Sequence, residues 1–350
     1  NELNKDAMAT YLTNRKQFPL LQDVRFNSQD IYELTSKKYG LKNLSINLKK
    51  EYGLEKGDVT LVVGGPPCQG YSGIGHRRSY KIEKKKIPSN YLYKEMAKVI
   101  KHLQPKAFIF ENVKGLLSAR WTRNSKKGEI FEDVRKEFKK LNNYFQDFAL
   151  IQCKNYGVPQ NRPRILLIGI RKDINFKPDS SKIASGLIPD ASNNYPHPIE
   201  LLGDLVDSSY MVNFKTKKYK KEAATNIQKK LRTKKGRNSY YHKGEYLTEQ
   251  EYSNHSENIV KKFRYMIENN GKIPSHMKTK KFAQRVIPKK WGSDGPNITA
   301  TSLPDDYVHF SQPRSLTVRE WARLQMFPDW YEFKGKRTTG GTRRAGNPHE

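Results

Sequence analysis

Cys68 is the residue on which chemistry would turn. It stands in Gly64-Gly65-Pro66-Pro67-Cys68-Gln69-Gly70-Tyr71-Ser72, directly after the strand-like run Val59–Val63. A loop so rich in glycine and proline is a shaped turn, and a turn at the carboxyl end of a strand lines the ligand crevice of an open α/β sheet. A lone cysteine is more often a small buried hydrophobe than a nucleophile; here the flanking prolines and glycines argue for a presented thiol. Glu111, in Phe108-Ile109-Phe110-Glu111-Asn112-Val113, ends the next strand pattern 43 positions later and can face the same crevice. Gln160-Asn161-Arg162-Pro163-Arg164 follows, just before the run Ile165–Ile170. In an extended segment Gln160, Arg162 and Arg164 project to one side. The set offers a thiolate nucleophile, a carboxyl that can hold or give a proton, and a cation that lowers the pKa of a nearby thiol. Taken singly, Glu111 is as readily a salt-bridge partner as an acid catalyst, and each arginine is more often structural. A thiol hydrolase would pair the cysteine with a histidine; His76 is near in sequence, but that reading leaves Glu111 and the arginines without a role.

The elements that must hold these residues show in the first half of the chain. Strand-like runs Val59–Val63, Ala107–Phe110, Phe148–Ile151 and Ile165–Ile170 alternate with amphipathic stretches. Leu92, Met96, Val99, Ile100 and Leu103 fall at helical spacing, as do Ile130, Phe131, Val134, Phe138 and Leu141. The alternation predicts a parallel sheet with helices on both faces. After Arg171 it stops, and a second domain is expected. There Lys215–Arg237 carries eleven Lys or Arg with Glu222 as its one acid, among the aromatics Phe214, Tyr219, Tyr240, Tyr241 and Tyr246, and further basic residues run from Lys278 to Lys290. Phosphate contacts that position a duplex are the functional reading of such a stretch, and a solvated basic face is the plain one.

Composition sets the limits. The 350 residues, 35% hydrophobic, suffice for one large domain and a smaller one. A formal net charge of +31, from 66 Lys and Arg against 35 Asp and Glu, points to a polyanionic partner, although a Lys- and Asn-rich composition also follows from a low-G+C genome. Two cysteines, Cys68 and Cys153, exclude a disulfide framework and a zinc-type cysteine pairing, so no metal is expected and a reducing compartment is the easier reading. No apolar run approaches the roughly 18 to 20 residues of a membrane span, and no secretory signal is read, so the expected location is cytoplasmic and nucleoid-associated. The sequence opens at Asn1 without an initiator Met and closes on Gly346-Asn347-Pro348-His349-Glu350, so truncation at both ends is expected.

Pro67-Cys68-Gln69, Glu111-Asn112-Val113 and the Gln-x-Arg-x-Arg at 160–164 resemble, in order and spacing, the DNA cytosine-5 methyltransferase family in its bacterial restriction-modification form. The run Arg314-Ser315-Leu316-Thr317-Val318-Arg319-Glu320-Trp321 extends the resemblance, being similar to the family helix that organises the recognition region. The resemblance implies a doubly wound, Rossmann-like S-adenosylmethionine-dependent methyltransferase fold with a second, smaller DNA-recognition domain. Residues 1–171 would form the catalytic domain, lacking its first cofactor-binding strand and loop. A connector at 172–199, a target-recognition region at 200–312, and the motif helix with the start of the return to the large domain at 313–350 would follow.

The resemblance also implies chemistry. Cys68 would add to carbon 6 of a cytosine flipped out of double-stranded DNA, making carbon 5 nucleophilic towards the methyl of S-adenosyl-L-methionine. Glu111 would bind ring nitrogen 3 and the exocyclic amine. Arg162, or Arg164 as second choice, would hold the carbonyl oxygen. Gln69, Ser72, Asn112 and Gln160 are the further substrate-binding residues it points to, with Gly73, Gly75, Arg77 and Arg78 after Ser72 closing over the base. On the cofactor side Glu2 would take the ribose hydroxyls, Leu3 the adenine face and Asp30 its amine, with Ile31, Pro67 and Leu92 nearby. Each has a plain alternative: Glu2 as a charge at a helix start, Asp30 as a turn residue, Leu92 as a core leucine. The glycine-rich turn for the methionine part is expected before Asn1, and Gly346-Asn347 matches the final family motif only superficially. A monomer is expected. An RNA cytosine methyltransferase and an inactive DNA-binding fragment are the competing readings; the long recognition region and Pro-Pro-Cys-Gln favour the DNA enzyme.

Overall fold

The computed structural model describes residues 1–36, 40–67, 87–210, 214–278, 284–298 and 307–335. Contacts divide the chain into two compact units. The first comprises Asn1–Leu3, Lys16–Gln152 and Pro163–Ala191; the second comprises Asn4–Arg15, Cys153–Arg162 and Ser192–Glu350. The opening helix, α1 (Lys5–Thr13), belongs to the second unit.

In the first unit, α2 (Ile31–Ser36) and α3 (Gly40–Tyr52) precede a central four-stranded sheet. Its strands are β1 (Leu61–Gly64), β2 (Ala107–Val113), β3 (Tyr144–Gln152) and β4 (Pro163–Arg171), in the order β1-β2-β4-β3. Two helices serve as crossovers: α4 (Leu92–Leu103) between β1 and β2, and α5 (Glu129–Lys139) between β2 and β3. Helix α4 buries Tyr93, Met96, Ala97, Ile100 and Leu103, one stripe at helical spacing, and stops where Gln104 turns left-handed (φ 51°) ahead of Pro105. Helix α5 carries Glu129 and Glu132 in its first turn and Lys136 and Lys139 in its last, complementing the helix dipole.

The sheet is mixed, not parallel. β1 and β2 pair parallel, but β4 runs antiparallel to both β2 and β3. The reason is the connection: only Cys153–Arg162 joins β3 to β4, too short for the crossover that parallel neighbours need, so the chain doubles back. Along β2 the pleat sends Phe108, Phe110 and Asn112 inward, at 0%, 1% and 5% exposure. Phe108 and Phe110 pack against Phe138 of α5, and Tyr144 closes on Phe108. Residues of both α4 and α5 join this one cluster. Burying each such aromatic contributes roughly 1.5–3 kcal/mol. Gly169 faces Phe108 across the β2–β4 pair, and a Cβ there would overlap the phenyl ring. The alternate residues of β2, Ile109 and Glu111, take the other face.

The second unit is built from shorter pieces: α6 (Pro198–Leu202), α7 (Asn226–Leu231), α8 (Glu257–Glu268) and α9 (Val318–Leu324), with a two-stranded parallel pair of β5 (Arg285–Val286) and β6 (Tyr307–Val308). Leu201, Leu202, Leu231, Ile298, Phe310 and Leu324 belong to its core. Helix α9 starts with a reciprocal cap: Thr317 Oγ1 accepts the Glu320 N–H, and the Glu320 carboxylate accepts the Thr317 N–H. Arg232, Arg314, Arg319 and Arg323 are each at most 1% exposed, and buried cations need partners. Arg323 bridges Asp204 and Asp329 at 2.6 Å each, Arg232 reaches Asp204 at 2.6 Å, and Arg314 forks onto Glu320 at 2.7 and 2.8 Å. Helix α1 docks by polar contacts: the Asn14 carboxamide brackets the Glu332 backbone, donating to its carbonyl at 2.7 Å and accepting its N–H at 2.9 Å.

Candidate active site

Cys68, Gln69, Ser72, the loop through Arg78 and Gly346-Asn347 lie outside the described residues, which stop at Pro67 and resume at Ile87. The approach to Cys68 is described. After β1, the backbone at Pro66 is fastened to β2 by Asn112, whose Nδ2 donates to the Pro66 carbonyl at 3.2 Å. The Asn112 Oδ1 accepts the N–H of Val113 at 2.9 Å, so this buried side chain is spent inside the fold. Pro66, Pro67, Tyr93 and Asn112 line a small pocket together.

Glu111 points away from the Phe108 core and is ion-paired with Arg164, Oε1 to Nε at 2.6 Å. The register explains the pair: Leu166 stands opposite Glu111, so Arg164 is its diagonal neighbour on the same face, within reach of a long side chain. The side chains are 38% and 14% exposed, so the pair is worth about 0–1 kcal/mol of stability and chiefly fixes the carboxylate's orientation. A Cβ on Gly65 would stand 3.0 Å from Glu111 Oε2, so a side chain there would press on the carboxylate. The Gly64-Gly65 doublet is the signal for that approach, although on sequence it reads only as a turn.

The segment 158–162 is turned, not extended. The N–H of Gln160 donates to Val158 O at 2.7 Å and that of Arg162 to Gln160 O at 3.0 Å, two successive tight turns, with Pro159 at the centre of the first. Gln160 is buried at 2% exposure, its Nε2 donating to Leu324 O at 3.0 Å within the second unit, whereas Arg164 sits in β4 of the first. Arg162 is half-buried and belongs with Gln160.

The expected cofactor residues are all in the first unit, and polar contacts link chain neighbours of several of them. Asn1 Nδ2 donates to Ser28 O at 2.8 Å, Ser28 Oγ to Asp30 O at 2.7 Å, and Tyr32 Oη to Pro88 O at 3.3 Å. These links join Asn1 to the turn at 28–30 and Tyr32 of α2 to the turn that precedes α4. Glu2 and Pro67 are exposed, Leu3 is 70% exposed, and Ile31 and Leu92 are half-buried. One Asp30 carboxylate oxygen accepts the Tyr32 N–H at 2.9 Å and so caps α2. Among the described residues no three His, Cys, Asp or Glu gather as a metal site, and no helix is long and apolar enough to cross a membrane.

Arg232 and Tyr219, expected within the phosphate-facing basic stretch, are buried, and Arg232 stacks over the Tyr219 ring at 3.8 Å. Lys215, Lys217, Lys218, Lys220, Lys221, Lys229, Lys230, Lys235 and Arg237 are exposed.

The root of the Cys68 loop and the Glu111–Arg164 pair bring parts of all three motifs to one mixed sheet, and sequence comparison agrees. The chain belongs to the C-5 cytosine-specific DNA methylase family, whose profile matches residues 1–348. It is 31% identical over 298 residues to the type II methyltransferase M1.HphI of Haemophilus parahaemolyticus, covering 83% of this chain and 64% of that protein. It is 26% identical over 332 residues to the type II methyltransferase M.DdeI of Desulfomicrobium norvegicum, covering 89% of this chain and 74% of that protein. The chain thus spans about two thirds of the length of these relatives. A crystal structure described as a DNA modification methyltransferase encoded within an E. coli prophage superposes with a TM-score of 0.59 at 20% identity, over 95% of this chain and 82% of that one, a likeness of fold.

Proposed function

We propose that this protein methylates carbon 5 of cytosine in a specific double-stranded DNA sequence, using Cys68 as nucleophile and S-adenosyl-L-methionine as methyl donor, as a monomer in the bacterial cytoplasm. The observation that carries the reading is the Glu111–Arg164 pair at 2.6 Å with Gly65 beside it, on the face of β2 opposite the core and at the root of the loop that bears Cys68. The names of the relatives support a role in protecting DNA from a cognate restriction enzyme.

Residues of the first unit around Asp30 in the proposed site suit the adenosine part of the donor. Glu2 offers carboxylate oxygens to ribose hydroxyls, the exposed Leu3 offers an apolar face to adenine, and Asp30 offers an acceptor for its amine, with Ile31, Pro67 and Leu92 around them. When bound, S-adenosylmethionine supplies an electrophilic methyl group.

Carbon 5 of cytosine is a poor nucleophile. The Cys68 thiolate bonds to carbon 6 while Glu111 delivers a proton to ring nitrogen 3, and the electron pair pushed onto carbon 5 then takes the methyl. A base removes the carbon 5 proton, the ring expels the thiolate as the double bond returns, and nitrogen 3 gives its proton back to the Glu111 carboxylate. Arg164 holds the Glu111 carboxyl in orientation, and Arg162 is the cation assigned to the base carbonyl oxygen and to the ionised form of Cys68. Asn112 serves by holding the Pro66 backbone. Flipping the base costs roughly a few kcal/mol of unstacking, which phosphate contacts from the exposed lysines of residues 215–237 offset.

The test is Cys68→Ser. Methyl transfer to duplex DNA should be lost while duplex binding stays within about twofold, because a hydroxyl is far less ionised than a thiol at neutral pH. Substantial turnover by the variant contradicts the covalent route, and labelling of transfer RNA in place of DNA contradicts the substrate.

A further inference from the structure

We infer that Gln160 is a positioning residue that fixes the backbone at Arg162 through the end of α9, so that methyl transfer depends on this one side chain; the inference rests on the reaction proposed above. The loop Cys153–Arg162 leaves the sheet between β3 and β4, yet its contacts group it with the residues from Ser192 onward. The buried Gln160 Nε2 donates to the carbonyl of Leu324, the last residue of α9. That carbonyl is one of the four at a helix end that no intrahelical N–H can meet, so the bond serves both partners. The next residue, Asn161, donates its backbone N–H at 3.0 Å to the carbonyl of Ile298, which is fully buried. Arg162 is held on both sides of its backbone, its N–H on Gln160 O at 3.0 Å and its carbonyl on the Cys153 N–H at 3.2 Å.

Three successive residues are therefore fixed by the end of α9, by Ile298 and by one another. A Gln160 that bound substrate would have to abandon Leu324 and leave a buried amide unmet. A Gln160 that only filled space would need no donor. Ile298 lies at the far end of the expected recognition region, and α9 is the helix that follows it. Any resetting of α9 or of Ile298 when that region meets its own sequence passes through one side chain and one peptide to Arg162. Discrimination would then be expressed in the chemical step as well as in binding.

Gln160→Leu keeps the volume and removes the donor. Gln160→Glu keeps the shape and donates only when its carboxyl is protonated. In the full-length protein, single-turnover methylation of the cognate duplex by Gln160→Leu should fall about 10- to 100-fold, the scale of a misplaced group, with duplex Kd changed less than about threefold. Gln160→Glu should regain activity relative to the unaltered protein as pH is lowered from about 8 to about 5.5. An unaltered single-turnover rate in folded Gln160→Leu overturns the inference, as does a loss confined to Kd, which would make Gln160 a DNA contact. A flat relative pH profile for Gln160→Glu also overturns it. Failure of the unaltered protein to methylate any duplex removes the proposed reaction itself, and the inference with it.

Discussion

Beside α9, one histidine is locked in its neutral form. His309 is fully buried, and its Nδ1 accepts the N–H groups of Ser311 and Gln312 at 3.1 and 3.2 Å. The ring proton therefore belongs on Nε2, which faces Glu320 Oε1 at 3.8 Å. Burial, helped by the Arg314 guanidinium, pushes the imidazole pKa from 6.5 down to about 3. Burial alone would raise the Glu320 carboxyl, but Arg314 outweighs it and holds the pKa at about 2. Both folded-state values are depressed, so both groups give stability that is present above their unfolded values and lost as pH falls. For His309 the window runs from 6.5 down to about 3. Thermal stability should drop steeply through that window, by up to a few kcal/mol. His309→Asn, which keeps an acceptor for the two N–H groups, should flatten the slope there. An unchanged slope in a melting-temperature series of that variant would assign the acid sensitivity to other groups.

The short elements of the second unit depend on paired charge more than on long apolar stripes. Asp204 receives both Arg232 and Arg323 at 2.6 Å with all three side chains at most 1% exposed. Asp204→Ala strands two buried cations and should destabilise the protein by about 3–5 kcal/mol in urea denaturation, against under about 1 kcal/mol if the network were solvated. Such pairing leaves no trace in the sequence, where Arg232 reads as one more charge in a basic run. Helices α4 and α5 are legible because apolar residues mark one face at every turn. The four strands are legible too, but an apolar run carries no direction, so the antiparallel course of β4 emerges only with the short Cys153–Arg162 connection. β2 continues through Val113 although Glu111 and Asn112 break its apolar run, because Arg164, Ile165 and Leu166 pair with them. Glu111 and Arg164 are legible as candidate residues. That they meet is not, since the diagonal contact follows from a register that spacing does not encode. Two turns around Pro159 and Asn161 likewise interrupt the extended course that the sequence pattern predicts for this segment.

At the scale of the whole molecule, the proposed function makes the net charge of +31 the term that governs an encounter with DNA. Within residues 215–237, Lys234 is engaged with Glu245 at 2.6 Å and Lys235 with Asn14 O at 2.6 Å, whereas Lys217, Lys218, Lys220 and Lys221 stand exposed close together in sequence. Duplex affinity should fall steeply with salt, and replacing those four lysines by Ala should shallow the log–log slope by roughly 0.9 for each phosphate no longer neutralised. A slope unaltered in that variant would make the stretch an ordinary solvated face. The proposed reaction is read directly by bisulfite sequencing of DNA from cells expressing the full-length protein beside cells expressing Cys68→Ser. Protected cytosines in one fixed sequence context, absent with the variant, are the predicted result. Protection in neither, or equally in both, would contradict a cytosine methyltransferase that works through Cys68.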